Sequence, residues 1–197
     1  VSKTQRYLDD AEAAFEDLCA VIESSDPALW NEPEREGEWS MRQLAAHVSA
    51  NTRFHAELAR AFINGGPPEA APTGWAAERD AALATGPAAT VAWMRADHAS
   101  QLPFLRSLTD EELSKSGQTK LGELTVEYLL RRLSAHARQH TRQARRIRQV
   151  VESRTGGTAA LVAGGEHEGE TMGAAPRGRK ASRAVPQQGT HKEATGG

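Results

Sequence analysis

The sequence has a single cysteine, Cys19, among 197 residues, which excludes an intrachain disulfide and fits a reducing compartment. No apolar run approaches the roughly 18–20 residues that cross a bilayer. The N-terminal VSKTQRYLDD lacks the apolar centre of a secretion signal, so the expectation is a cytoplasmic protein with no membrane partner. β-Branched residues are few and aromatics make up only 5% of the chain. Alanine is abundant, a balance that favours helix over sheet. Charge of one sign is not in excess either. The 24 basic and 26 acidic side chains leave a net charge of −2. Residues 1–151 hold 18 of the bases and 21 of the acids, and no base-stacking aromatic accompanies the arginines. Nucleic acid is therefore not an expected partner.

What is present is helical periodicity. Leu8, Ala11, Phe15, Leu18 and Ile22 make one apolar stripe over residues 3–23, with acids on the outer surface. A loop with Pro27, Pro33 and Gly37 follows, and its Trp30 is expected to cover one end of the core. Ser40 with Gln43 three residues on is a capping box, with Trp39 at the position of a hydrophobic staple. The second helix runs from there to about Asn64, with Leu44, His47, Val48, Asn51, Phe54, Leu58 and Phe62 as its inner stripe. His55 falls toward the edge of that stripe and is expected to face solvent. Residues 65–74 form a Pro/Gly-rich connection too long for a tight hairpin, with a short helix on its return. The third helix starts near Pro87 and carries Val91, Met94, His98, Leu102 and Leu105, and Pro103 is expected to kink it or loosen its end. Residues 108–124 read as a connector. Thr125 then caps a last helix through Val151.

The expected fold is all-α: a four-helix bundle over residues 1–151, with a crossover between its second and third helices. Residues 152–197 are rich in Gly, Ala, Ser, Thr and charge. They are expected to form a disordered tail, because they cannot bury enough surface to offset ordering.

Seven arginines flank the last helix, and their expected counterpart is the acidic first helix. That helix also places His136 and His140 one turn apart on its inner face. Such a pair either shares a metal ion or hydrogen-bonds to neighbours. It is not a zincin helix, since Ala137 stands where that motif needs a glutamate. His47 on the inner stripe of the second helix supplies a third imidazole. Three neutral imidazoles would leave coordination positions open, as catalytic rather than structural metal sites do. His98 shares the apolar phase and is either a further ligand or a packed core histidine. Glu166, His167 and Glu168 in the tail lack a scaffold.

Trp39-Ser40, then Gln43-Leu44-Ala45-Ala46-His47, then His136-x-x-x-His140 followed by Arg142-Gln143 resembles the DinB-like family of metal-binding four-helix bundles. Leu121 to Val126 looks like that family's lead-in to its last helix. The family is related to mycothiol- and bacillithiol-dependent transferases and to maleylpyruvate isomerase. The resemblance covers residues 4–151. It implies a divalent metal such as zinc, nickel or iron on His47, His136 and His140. It also implies a low-molecular-weight thiol, mycothiol or bacillithiol, as cofactor, a small electrophile as substrate, and a homodimer.

In a thiol-dependent S-transferase or isomerase the metal would hold the cofactor sulfur as thiolate. Cys19 would then be a packing residue. Asn51 and Arg132, each one turn from a histidine, are candidate cofactor-binding residues; otherwise they are a helix-interior hydrogen bond and a solvated flank. Two alternatives stand beside this one. A metal-dependent hydrolase would need a general base, for which the loop around Glu34 to Glu38 is a source. A non-catalytic stress-associated or interaction bundle would need none.

Overall fold

The computed structural model describes residues 1–163, with side chains through Arg154. Among the described residues there are five α-helices and one hairpin: α1 (Lys3–Glu23), α2 (Met41–Asn64), α3 (Trp75–Thr85), α4 (Pro87–Ser107), β1 (Ser116–Thr119), β2 (Gly122–Thr125) and α5 (Val126–Ala163). Helix α5 continues past Val151, where the apolar periodicity ends. The rest of the expected disordered tail, including Glu166, His167 and Glu168, lies outside the described residues.

The bundle is built by α1, α2, α4 and α5. Helices α1 and α2 each pack against both α4 and α5, which places α1 diagonally from α2. Side-chain pairs give the directions. Tyr7 bonds Glu127, Asp10 pairs with Arg138, and Ser24 meets Arg148, so α1 and α5 run parallel. Glu12 pairs with Arg106 and Glu23 with Arg95, so α4 runs against α1. Arg53 meets Asp97 and Arg60 lies over the Phe104 ring, so α2 and α4 run parallel. Two consecutive parallel helices cannot be joined by a short turn. The long connection carrying α3 is the crossover that this order requires.

Local chemistry sets the ends. Ser40 Oγ accepts from Gln43 N while Ser40 N donates to Gln43 Oε1, the capping box expected from sequence. Gly65, at φ +70°, closes α2 in the left-handed conformation that glycine adopts without a Cβ penalty. Thr125 Oγ1 accepts from Tyr128 N at the start of α5. Helix α4 runs on through Pro103 to Ser107.

Two apolar clusters fill the interior. One gathers Phe15, Leu18, Ile22, Trp30, Met41, Leu44, Val91, Met94 and Ile147. Trp30 is buried there, and its Nε1 donates to Leu83 O at 2.9 Å. The other gathers Leu8, Ala56, Leu105, Leu113, Val126, Leu129, Leu130 and Leu133. Each fully buried Leu or Ile contributes about 1.5–3 kcal/mol. At heights between the two clusters the helices carry buried polar side chains: Arg53, His98, Gln101, His136 and His140.

Three expectations for α2 and its surroundings need correction. Phe54, placed on the inner stripe by its spacing, is 52% exposed, whereas Arg53 and Glu57 are buried. The cause is contact on a second flank. Arg53 Nη2 lies 2.5 Å from Asp97 Oδ1 of α4, which also accepts from Trp75 Nε1 of α3 at 2.8 Å. His55, expected in solvent, is buried, and its Nδ1 donates to Asn51 O at 2.7 Å. The connector at 108–124 contains a hairpin, with Gly117 facing Leu124 and Thr119 facing Gly122. Its two-residue loop, Lys120 and Leu121, leads into Gly122, at φ +100°. The hairpin lies on α2: a Cβ on Gly117 would come within 2.2 Å of the Phe62 ring.

Candidate metal centre

The capping box starts α2 so that His47, on its second turn, faces α5. The i, i+4 spacing turns His136 and His140 toward it. His136 Nε2 lies 3.2 Å from His47 Nε2 and 3.1 Å from His140 Nε2. One ring nitrogen from each histidine lies within 4.8 Å of the other two. Nitrogens on a common divalent ion at about 2.0–2.1 Å are roughly 3.0–3.4 Å apart, and the two separations at His136 fall in that range. In the absence of an ion, one hydrogen or one lone pair on His136 Nε2 cannot fully serve both neighbours. Among the described residues this is the one grouping of three or more His, Cys, Asp or Glu side chains close enough to share an ion.

Neighbouring groups prepare the rings. His140 Nδ1 donates to Gln143 Oε1 at 2.8 Å, which leaves the Nε2 lone pair free for the cluster. Asn51 Nδ2 donates to His47 O and lies 3.3 Å from His47 Nε2. Trp39, which occupies the staple position in the sequence, packs on the rings instead, 4.7 Å from His47 and 6.1 Å from His140 between centroids. Burial holds all three imidazoles below their ordinary pKa. His136 is pushed furthest, to about 3, by burial first and then by His140, His47, His55 and Arg132. The rings are therefore neutral at physiological pH and present lone pairs, the state in which imidazole binds metals.

The cluster opens into a cleft of about 390 Å³ whose walls include Glu38, Trp39, Asn51, Arg132, Gln139 and Gln143. Asn51 and Arg132, the candidate cofactor-binding residues, thus stand in the wall beside the histidines. His98 does not join them. It is buried against Phe15 at 4.3 Å between ring centroids, and among the described residues neither of its nitrogens has a hydrogen-bond partner. Cys19 is fully buried and burial pushes its thiol up to about 12, so it is a packing residue without a usable thiolate. Sequence periodicity gave no reason to place His55 near the centre, yet its ring centroid is 6.2 Å from that of His136. Glu38 in the cleft wall comes from the loop already considered as the source of a base.

Residues 8–144 match the sequence profile of the DinB superfamily. The chain belongs to that superfamily. Solved structures agree on the four-helix bundle. YfiT from Bacillus subtilis, described as a probable metal-dependent hydrolase with an unusual four-helix bundle topology, superposes with a TM-score of 0.60 at 18% identity, over 79% of this chain and 90% of that one. A conserved protein from Enterococcus faecalis gives 0.60 at 16% identity, over 78% and 99%. TT2238, a four-helix bundle protein, gives 0.55 at 22% identity, over 73% and 98%. No curated protein matches the chain in sequence. Among the described residues of this DinB chain, no helix is long and apolar enough to cross a membrane.

Proposed function

We propose that the chain is a metal-dependent enzyme in which His47, His136 and His140 hold a divalent ion, and that it transfers or isomerises a substrate with the help of a low-molecular-weight thiol. The observation that carries this reading is the convergence of three neutral imidazole nitrogens at the floor of an open cleft. A divalent ion held there supplies Lewis acidity, lowering the pKa of a thiol or water placed on it.

The chain's own residues then have defined tasks. Gln143 fixes the tautomer of His140. Trp39 covers the rings and limits access of bulk water to them. Arg132 and Asn51 orient the cofactor or substrate from the cleft wall. Among the described residues the cleft walls hold no cysteine, serine or threonine, which fits a nucleophile delivered by a cofactor. The proposed partners are mycothiol or bacillithiol and a small electrophile.

Glu38 favours a second reading, metal-assisted hydrolysis with that carboxylate as general base. This is also the activity described as probable for YfiT.

Incubating the zinc-loaded chain with mycothiol or bacillithiol and a chromogenic electrophile tests the first reading. Conjugate formation that disappears in His47→Ala supports it, and a rate no greater than that of the free thiol removes it. Ester hydrolysis without thiol that is lost in Glu38→Gln would install the second reading.

A further inference from the structure

A second cavity, of about 620 Å³, lies between the C-terminal half of α2 and the β1–β2 hairpin. That volume is in the range of small-molecule sites. Its walls include Phe54, Leu58, Phe62, Leu121, Leu124 and Tyr128. Three of these are among the few large apolar side chains left in solvent: Phe54 at 52%, Leu121 at 84% and Tyr128 at 46% exposed. Another of the few, Trp39, stands over the histidine cleft. Apolar surface gathered around a cavity marks a place where something binds.

Asn51 and Arg132 line both this cavity and the histidine cleft, so the two spaces meet at those side chains. Arg132 is half-buried, and among the described residues it has neither a hydrogen bond nor an ion pair. Arg138, Arg146 and Arg148 of α5 are engaged, with Asp10, Glu34 and Ser24, whereas Arg131, Arg142 and Arg145 are exposed and solvated, so burial is what sets Arg132 apart. Among the described residues the cavity wall holds Lys120 as well and no acid, and the one acid of the cleft wall is Glu38, which pairs with Arg35 at 3.3 Å. A half-buried cation without a counterion, one turn (about 6 Å) along α5 from His136, is completed by an anion.

We infer that this cavity takes the apolar body of a small amphiphilic carboxylate, an alkyl or aryl acid, whose carboxylate sits on Arg132 beside the histidine cluster. The carboxylate engages the guanidinium by charge-assisted hydrogen bonds. The acyl or aryl part lies between Leu58, Phe62 and the hairpin. The inference names a substrate class for the proposed reaction and in that sense rests on the metal-site reading, but binding itself does not need the metal.

Titration calorimetry of the full chain with decanoate and with decyltrimethylammonium, below their micelle concentrations, tests it. Both are run on the chelator-treated chain and with one equivalent of zinc. Decanoate is expected to saturate at one per chain in both states, and the ammonium of equal length to bind at least tenfold more weakly. Arg132→Gln, which removes no folded-state partner, is expected to weaken decanoate at least tenfold with an unchanged melting curve. Leu121→Asp, at an exposed lip of the cavity, is expected to weaken it as well. Equal binding of the two probes would overturn the assignment, as would unchanged decanoate affinity in Arg132→Gln. So would a sedimentation profile showing self-association that excludes decanoate, which would assign the face to a second copy. Arg132-dependent decanoate binding by a chain that takes up no metal would sink the metal reading alone. Stoichiometric metal without decanoate binding would sink this inference alone.

Discussion

His140 donates its Nδ1 hydrogen to Gln143 Oε1 across 2.8 Å and thereby keeps its Nε2 lone pair directed at His136, 3.1 Å away. A partner of this kind fixes both tautomer and ring orientation. Gln143→Leu is therefore expected to weaken zinc affinity by roughly 10–100-fold, read by competition with a chromophoric chelator. Gln143→Glu keeps an acceptor at that place and should retain affinity. Equal affinity in the Leu variant would show that the bond plays no part in the site.

Asp97 joins three elements, accepting from Arg53 of α2 and Trp75 of α3 while standing on α4. Asp97→Leu leaves the buried Arg53 with Glu57 as its remaining ion pair, 3.4 Å away, and a 3.4 Å hydrogen bond to Ser100 Oγ, and is expected to cost about 3 kcal/mol in urea denaturation. The double variant Arg53→Met/Asp97→Leu should recover much of that loss. A double variant less stable than Asp97→Leu would contradict this reading of the pair.

The stability of the bundle should fall on the acid side. His98 is buried with both nitrogens unpartnered among the described residues, and burial holds its pKa below the usual value, opposed by Glu12, Asp97 and Glu16 and aided by Arg106. Below about pH 6.5 the unfolded chain takes up a proton that the folded ring resists, so stability drops as pH falls from there toward the folded pKa. The denaturation midpoint of His98→Phe should change less between pH 7.5 and 5.5 than that of the parent, both without metal. Identical shifts would remove His98 from the account.

Gly117 allows β1 to lie on α2, where an added Cβ would meet the Phe62 ring at 2.2 Å. Gly117→Val is expected to destabilise by roughly 1–3 kcal/mol through overpacking, and Phe62→Ala in the same chain should relieve part of it. Additive losses in the double variant would mean the two do not meet.

These sites also mark where sequence reasoning succeeds and fails. The bounds of α1 and α2 follow from a clean 3.6-residue stripe and from the Ser40–Gln43 box, because both are local signals. His47, His136 and His140 were legible for the same reason: each lies on an inner stripe. Arg53 and His55 were not, since periodicity reads one buried face and α2 has neighbours on two flanks. The strands Ser116–Thr119 and Gly122–Thr125 are short, polar and without apolar alternation, so only their packing on α2 reveals them.

The most direct test is metal analysis of the chain purified without a histidine tag, beside His47→Ala/His140→Ala prepared in the same way. The account predicts close to one divalent ion per chain in the parent and almost none in the double variant. Equal, substoichiometric metal in the two preparations would contradict it.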